Sequence, residues 1–335
     1  MKKEIVLEEP YMKSVPYLAS FFSFFEVNKM TMPWLIKFFT SPFAYRKIND
    51  EFEIKSHGVI SKNFLNDYFV MCCPFVEVCN INQSLIDNNI FEVIKKAICN
   101  GFCMTAVINP HYIKAYGKLG LNEHDLLITG FDDKNEFIIG KDFFSPLRKF
   151  GRCEIPYCEY LEAFSKRNIK YNIRFFKKRD VISQPVQENL IEVLRDALYN
   201  YLDESISIEN PYYPLVCHVK NEGLSVFMEP AEVWTGIGIY DGLIKNIHHT
   251  YFRDWVLFID IHRLICDALL LVIPNCEALI NFEKIIKNLQ VLLIWRMKYQ
   301  VTTHSKELSS MVDRLWNLKE KEKGCIKALL YQLET

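Results

Sequence analysis

"NEHDLLITGFDDKNEFIIGKDFF" (residues 122–144) sets a histidine at the start of one apolar run and an aspartate at the end of the next. Residues 126–131 and 137–142 are the two runs, and "DDKN" between them carries turn formers, so the stretch predicts a β-hairpin. Asp132 and Asp133 read as the turn-forming pair. A register centred on Asp133 puts His124 and Asp142 directly opposite one another. Cross-strand neighbours on one face lie ~5 Å apart at Cβ, close enough for a carboxylate to orient an imidazole. An imidazole so oriented can serve as a general base through its other nitrogen. A one-residue slip would send the two side chains to opposite faces.

Working outward, the first half alternates helical and extended patterns. Residues 16–27 read as a buried helix with Pro16 in the first turn and Ser14 or Val15 at its mouth. Thr31 is placed to cap a second helix, "MPWLIKFF". Residues 69–79 look like a strand whose middle is weakened by Pro74. Over 84–100, Ile90, Val93, Ile94, Ala97 and Ile98 share one helical face, and Gly101 follows as a stop. "FCMTAVI" (102–108) is a short apolar strand. After the hairpin come a short helix, "PYCEYLEAF", and a strand, "YNIRFF".

Composition shifts at "KKRDVISQPVQ" (177–187), which predicts two domains, 1–180 and 181–335. The second reads as helices over 186–203, 239–250, 252–273, 276–300 and 305–333, interrupted by an extended region at 214–227. The fold class expected is α+β, an antiparallel sheet with N-terminal helices followed by a mainly helical half.

Charge is balanced, 40 basic against 41 acidic residues, which leaves no basic stripe for nucleic acid. The N-terminus lacks an apolar segment of signal-peptide length. The most apolar stretch, 255–273, contains Asp260, His262, Arg263 and Asp267, so a buried amphipathic helix is expected there and not a membrane span. A soluble, cytoplasmic protein follows as the expectation. The eleven cysteines include no CxxC pair and the histidines have no zinc spacing, so no metal is expected. "GIGIYDG" (236–242) has Asp241 where a dinucleotide fingerprint needs its third glycine, and no convincing strand precedes it, so it reads as a turn into a helix. His262 reads as a core histidine.

The order of an N-terminal helix, then "AVINPHY", then "HDLLITGFDD…FIIGKDF" resembles the papain-like cysteine-peptidase fold. Within that fold it resembles proteins of bacterial natural-product pathways that are similar to the butirosin-biosynthesis acyltransferase family. The resemblance covers roughly residues 10–175. It implies an acyl, aminoacyl or peptidyl transfer from a carrier-protein thioester to an amine acceptor, in nonribosomal-peptide-type chemistry. No cofactor of the chain's own is implied, because the phosphopantetheine arm belongs to the acyl or peptidyl carrier-protein partner. His124, Asp142 and Ser14 are the catalytic candidates. The family's nucleophilic cysteine sits at the mouth of the first helix, where a thiolate is stabilised, but here no cysteine precedes Cys72. Ser14 stands at or beside that position and equally suits a helix cap. Glu8 and Glu9 occupy the region of the missing oxyanion helper. The alternative is an inactive papain-like protein that binds a carrier-bound or peptide-like intermediate; a peptidase ranks below both. Nothing in the pattern implies a membrane or nucleic-acid partner, and a homodimer stays open.

Overall fold

The computed structural model describes residues 1–13, 16–40, 42–47, 52–55, 73–81, 86, 89–117, 123–144, 149–168, 173–179, 189–205, 230–302 and 305–335. The fold is α+β and divides into two compact units, Met1–Glu26 with Val70–Ser183, and Val27–Phe69 with Gln184–Thr335. A single cut at 180/181 therefore does not describe the division: residues 27–69 go with the second unit.

The first unit is built on an antiparallel sheet. Its strands are β1 (Lys2–Glu4), β4 (Val76–Ile81), β5 (Cys103–Ile108), β6 (His124–Asp132), β7 (Phe137–Phe144), β8 (Lys149–Pro156) and β9 (Ile173–Lys178). They run in the order β4-β9-β5-β6-β7-β8, with β1 also pairing with β6. Helices α3 (Ile90–Cys99) and α4 (Tyr157–Ser165) cover one face. Ile90, Ile94 and Ile98 of α3 and Tyr160, Ala163 and Phe164 of α4 pack there on Met104, Ala106, Leu126, Ile128, Ile138 and Phe175. Helix α3 ends where expected, at Gly101 with φ 83°, a conformation glycine adopts without strain.

The opposite face carries Leu127, Ile139 and Phe176, all buried yet outside that cluster. The N-terminal segment lies against it: α1 (Pro16–Phe22) rests on β6 and β7, and the Phe24 and Phe176 rings meet at 5.4 Å. Helix α1 stops five residues short of the expected end. Ser23 donates its hydroxyl back to the Ala19 carbonyl, and Ser23 and Phe24 donate their N–H groups three residues back, which tightens the last turn and ends the helix.

The second unit contains a three-stranded antiparallel sheet, β10 (Pro230–Thr235), β2 (Phe43–Lys47), β3 (Phe52–Lys55), that the sequence did not announce. Around it stand α2 (Met32–Phe39), α5 (Leu190–Leu202), α6 (Ile239–Lys245), α7 (Phe252–Val272), α8 (Glu277–Thr302) and α9 (Ser305–Glu334). Thr31 occupies the N-cap position of α2, but its hydroxyl donates to the Asn28 carbonyl and makes no cap bond to the helix. "GIGIYDG" does follow a strand, β10, contrary to expectation. Gly236 (φ 53°) makes the turn, and a Cβ there would sit 2.2 Å from the Tyr201 carbonyl oxygen. Helix α6 ends at Lys245 and does not reach 250. His249 donates its N–H three residues back to the Asn246 carbonyl, which breaks the α-helical pattern, and Arg296 takes the carbonyls of His248 and Thr250. The expected extended region 214–227 lies outside the described residues. Among the described residues no helix is long and apolar enough to cross a membrane.

Candidate functional site

The hairpin forms with a register different from the one centred on Asp133. Its turn is residues 133–136, flanked by the pair Asp132↔Phe137. Asp132 Oδ1 accepts from the N–H groups of Lys134 (3.1 Å) and Asn135 (3.3 Å), and Glu136 takes φ 56°. Lys95 meets Asp133 at 2.7 Å and holds its carboxyl below the usual range.

A bulge then corrects the face. The ladder runs through Phe131↔Ile138 and Gly130↔Ile139, skips Thr129, and resumes at Ile128↔Gly140 and Leu127↔Lys141. Without the extra residue, Asp142 would face Leu127, and Asp125 would share its side of the sheet. With it, Asp142 falls across from Leu126, two residues from His124 on the same face. The two side chains therefore meet on the diagonal, not directly across. Thr129 marks the point where the far edge of β6 changes partner, from β5 to β1. The Thr129 carbonyl accepts from Ile5 N–H at 2.8 Å, so the bulge leaves that group satisfied. Gly130 beside it is required, since a Cβ there would come within 2.6 Å of the Lys3 carbonyl oxygen.

His124 Nε2 lies 2.7 Å from Asp142 Oδ2, with 24% of the imidazole exposed and 1% of the carboxylate. The other carboxylate oxygen, Oδ1, accepts from Phe143 N–H at 2.7 Å. Sequence reading missed a third member, Tyr116, whose hydroxyl donates to Asp142 Oδ2 at 2.5 Å. Its ring meets His124 edge to face at 5.5 Å and packs on Phe144 at 4.9 Å. Burial, and next to it the Asp142 charge, push the Tyr116 phenol well above its ordinary value. Strand β5 ends at Ile108, where the apolar run 102–108 ends. Asn109 then accepts from His111 N–H, opening two 3-10 turns, Pro110–Tyr112 and Lys114–Tyr116. The Asn-Pro pair signals that break, and Ile113 and Tyr116, three apart and both buried, are its inward side.

All three groups lie on the face covered by α3 and α4: His124 aligns with Ile108, and Asp142 with Ile138. Helix α1, at whose mouth the sequence places Ser14, rests on the opposite face. Ser14 itself lies outside the described residues. Among those described, no three His, Cys, Asp or Glu side chains form a group that could hold a metal ion.

A second histidine–carboxylate group lies in the helical unit. His262 of α7 is fully buried; its Nδ1 donates to the Phe258 carbonyl at 2.7 Å and its Nε2 meets Glu322 Oε1 of α9 at 2.8 Å. Tyr240 of α6 donates to Glu322 Oε2 at 2.5 Å, and Tyr201 of α5 stands 3.4 Å from His262 Nε2. Burial alone would depress the imidazole, but Glu322 outweighs it and holds His262 above its ordinary value.

The chain thus presents an α+β frame in which the imidazole of His124, among the described residues, is oriented by a carboxylate and reached by solvent. No protein-family model matches the chain, and no curated protein matches it.

Proposed function

We propose that the chain is an amide-forming acyl, aminoacyl or peptidyl transferase of natural-product biosynthesis, built on a papain-like first unit, with His124 as the general base. The observation that carries this reading is the 2.7 Å contact from His124 Nε2 to a buried Asp142, with the imidazole still reached by solvent. Since Nε2 is committed to the carboxylate, proton transfer falls to Nδ1. An incoming amine attacks the carbonyl carbon of a carrier-bound thioester and Nδ1 takes the amine proton. The tetrahedral adduct collapses, the C–S bond breaks, and the departing thiolate regains that proton, leaving an amide and a free thiol. A thioester is already activated, so positioning and a base suffice without a covalent nucleophile.

The absence of any cysteine before Cys72 also favours a second reading, a non-catalytic protein that binds a carrier-bound or peptide-like intermediate. The deciding experiment incubates the chain with a carrier protein bearing an aminoacyl phosphopantetheine thioester and a small amine. Under the transferase reading His124→Ala lowers amide formation by about 10²–10⁴-fold and wild-type intact mass shows no adduct. An acyl adduct on Ser14 would replace direct transfer by a covalent route. No turnover by wild type, with only a modest change of affinity in His124→Ala, would establish the binding reading.

A further inference from the structure

The hydroxyl of Tyr116 has one acceptor among the described residues, the same Asp142 oxygen that faces His124 Nε2. Oδ1 is already engaged by Phe143 N–H. A phenol has a single proton to donate. Buried to 1% exposure, and with its acidity suppressed by that burial and by Asp142, Tyr116 keeps the proton throughout the ordinary pH range. Were Asp142 to carry a proton on Oδ2 and donate it to His124, the Tyr116 hydroxyl would be left facing an O–H oxygen, a much poorer acceptor than a carboxylate. The arrangement that satisfies all three groups has both Tyr116 and His124 donating to Oδ2.

We infer that Tyr116 is a positioning residue that sets the direction of the proton between His124 and Asp142, leaving Nδ1 as the basic nitrogen of the neutral imidazole. Its ring, edge-on to His124 and packed on Phe144, also holds the plane of the imidazole. The tautomer assignment stands on this geometry alone; only its catalytic consequence rests on the acyl-transfer reading. Outer partners that fix tautomer and ring orientation govern how well a histidine serves its site.

The test is long-range proton–nitrogen NMR of the His124 ring in the full-length, nitrogen-15-labelled chain, at a pH where the ring is neutral. In wild type the proton is expected on Nε2, with Nδ1 giving the signature of an unprotonated nitrogen. In Tyr116→Phe both tautomers are expected, and kcat for amide formation falls roughly tenfold with KM unchanged, the effect of one hydrogen bond to a charged group. A wild-type proton on Nδ1, or a Tyr116→Phe spectrum identical to wild type, overturns the inference. If Tyr116→Phe does not fold, wild type decides through the Tyr116 hydroxyl proton. A slowly exchanging low-field signal with cross-peaks to the His124 ring supports the inference, and its absence overturns it. Expected tautomers with no amide formed by wild type would sink the acyl-transfer reading and leave this inference standing. Robust amide formation with no tautomer response would do the reverse.

Discussion

Two histidine–carboxylate–tyrosine groups use the same bonds in different surroundings. On the sheet, His124 Nε2 meets Asp142 at 2.7 Å and Tyr116 donates to that carboxylate; among the helices, His262 Nε2 meets Glu322 at 2.8 Å and Tyr240 donates. The first imidazole is 24% exposed and the second 0%. Exposure separates their uses. A sealed imidazole with both nitrogens bonded has no route to a substrate, so His262 joins α6, α7 and α9. An imidazole held by a carboxylate and reached by solvent can exchange a proton with something that arrives.

The largest expected effect falls on the sealed group. Glu322→Ala strips a buried imidazole of its partner and should cost about 3–5 kcal/mol in urea unfolding; a loss below about 1 kcal/mol would mean that the cluster does not join the helices. Next comes His124→Ala, which should lower amide formation by about 10²–10⁴-fold while costing under about 1 kcal/mol of stability. A stability loss matching that of Glu322→Ala would place both groups in the same structural class.

The pH dependence gives a smaller contrast. Because the folded chain holds the His262 proton above the ordinary value of 6.5, it binds that proton more tightly than the unfolded chain does. The resulting stability is complete below about pH 6.5 and is lost as pH rises through the elevated value. The urea midpoint of wild type should therefore decline as pH rises above about 6.5. In His262→Phe this decline should be absent, and an equal decline in both proteins would assign it to other groups. Smallest is Tyr240→Phe, which removes one donor to Glu322 and should cost about 1.5–3 kcal/mol, as for a hydrogen bond to a charged group. Guanidinium unfolding measures it, and a neutral result would mean that Glu322 is satisfied by His262 alone.

Local pattern carried much of this fold. The apolar spacing of Ile90, Ile94 and Ile98, the stop at Gly101, the paired runs around the turn and the long C-terminal periodicities all correspond to observed elements. Each of these signals lies within a few residues of the structure it specifies. Pairings across long separations left no comparable trace. Strand β10 joins β2 across nearly two hundred residues, and this carries 27–69 into the second unit. The site divides in the same way. His124 and Asp142 were legible because one hairpin holds them both. Tyr116 was not, because an irregular turn has no period and its hydrogen bond to Asp142 spans 26 residues.

The sequence by itself determined that a histidine and an aspartate would end adjacent strands of a hairpin, since alternating apolar runs and turn formers act over short range. Only the tertiary structure decided that they meet. The turn alone would have put Asp125 on the Asp142 face, and the bulge at Thr129, where β6 passes from β5 to β1, restored His124 to it. Which residue a strand omits from its ladder depends on both neighbouring strands, and one of those here is the N-terminus of the chain.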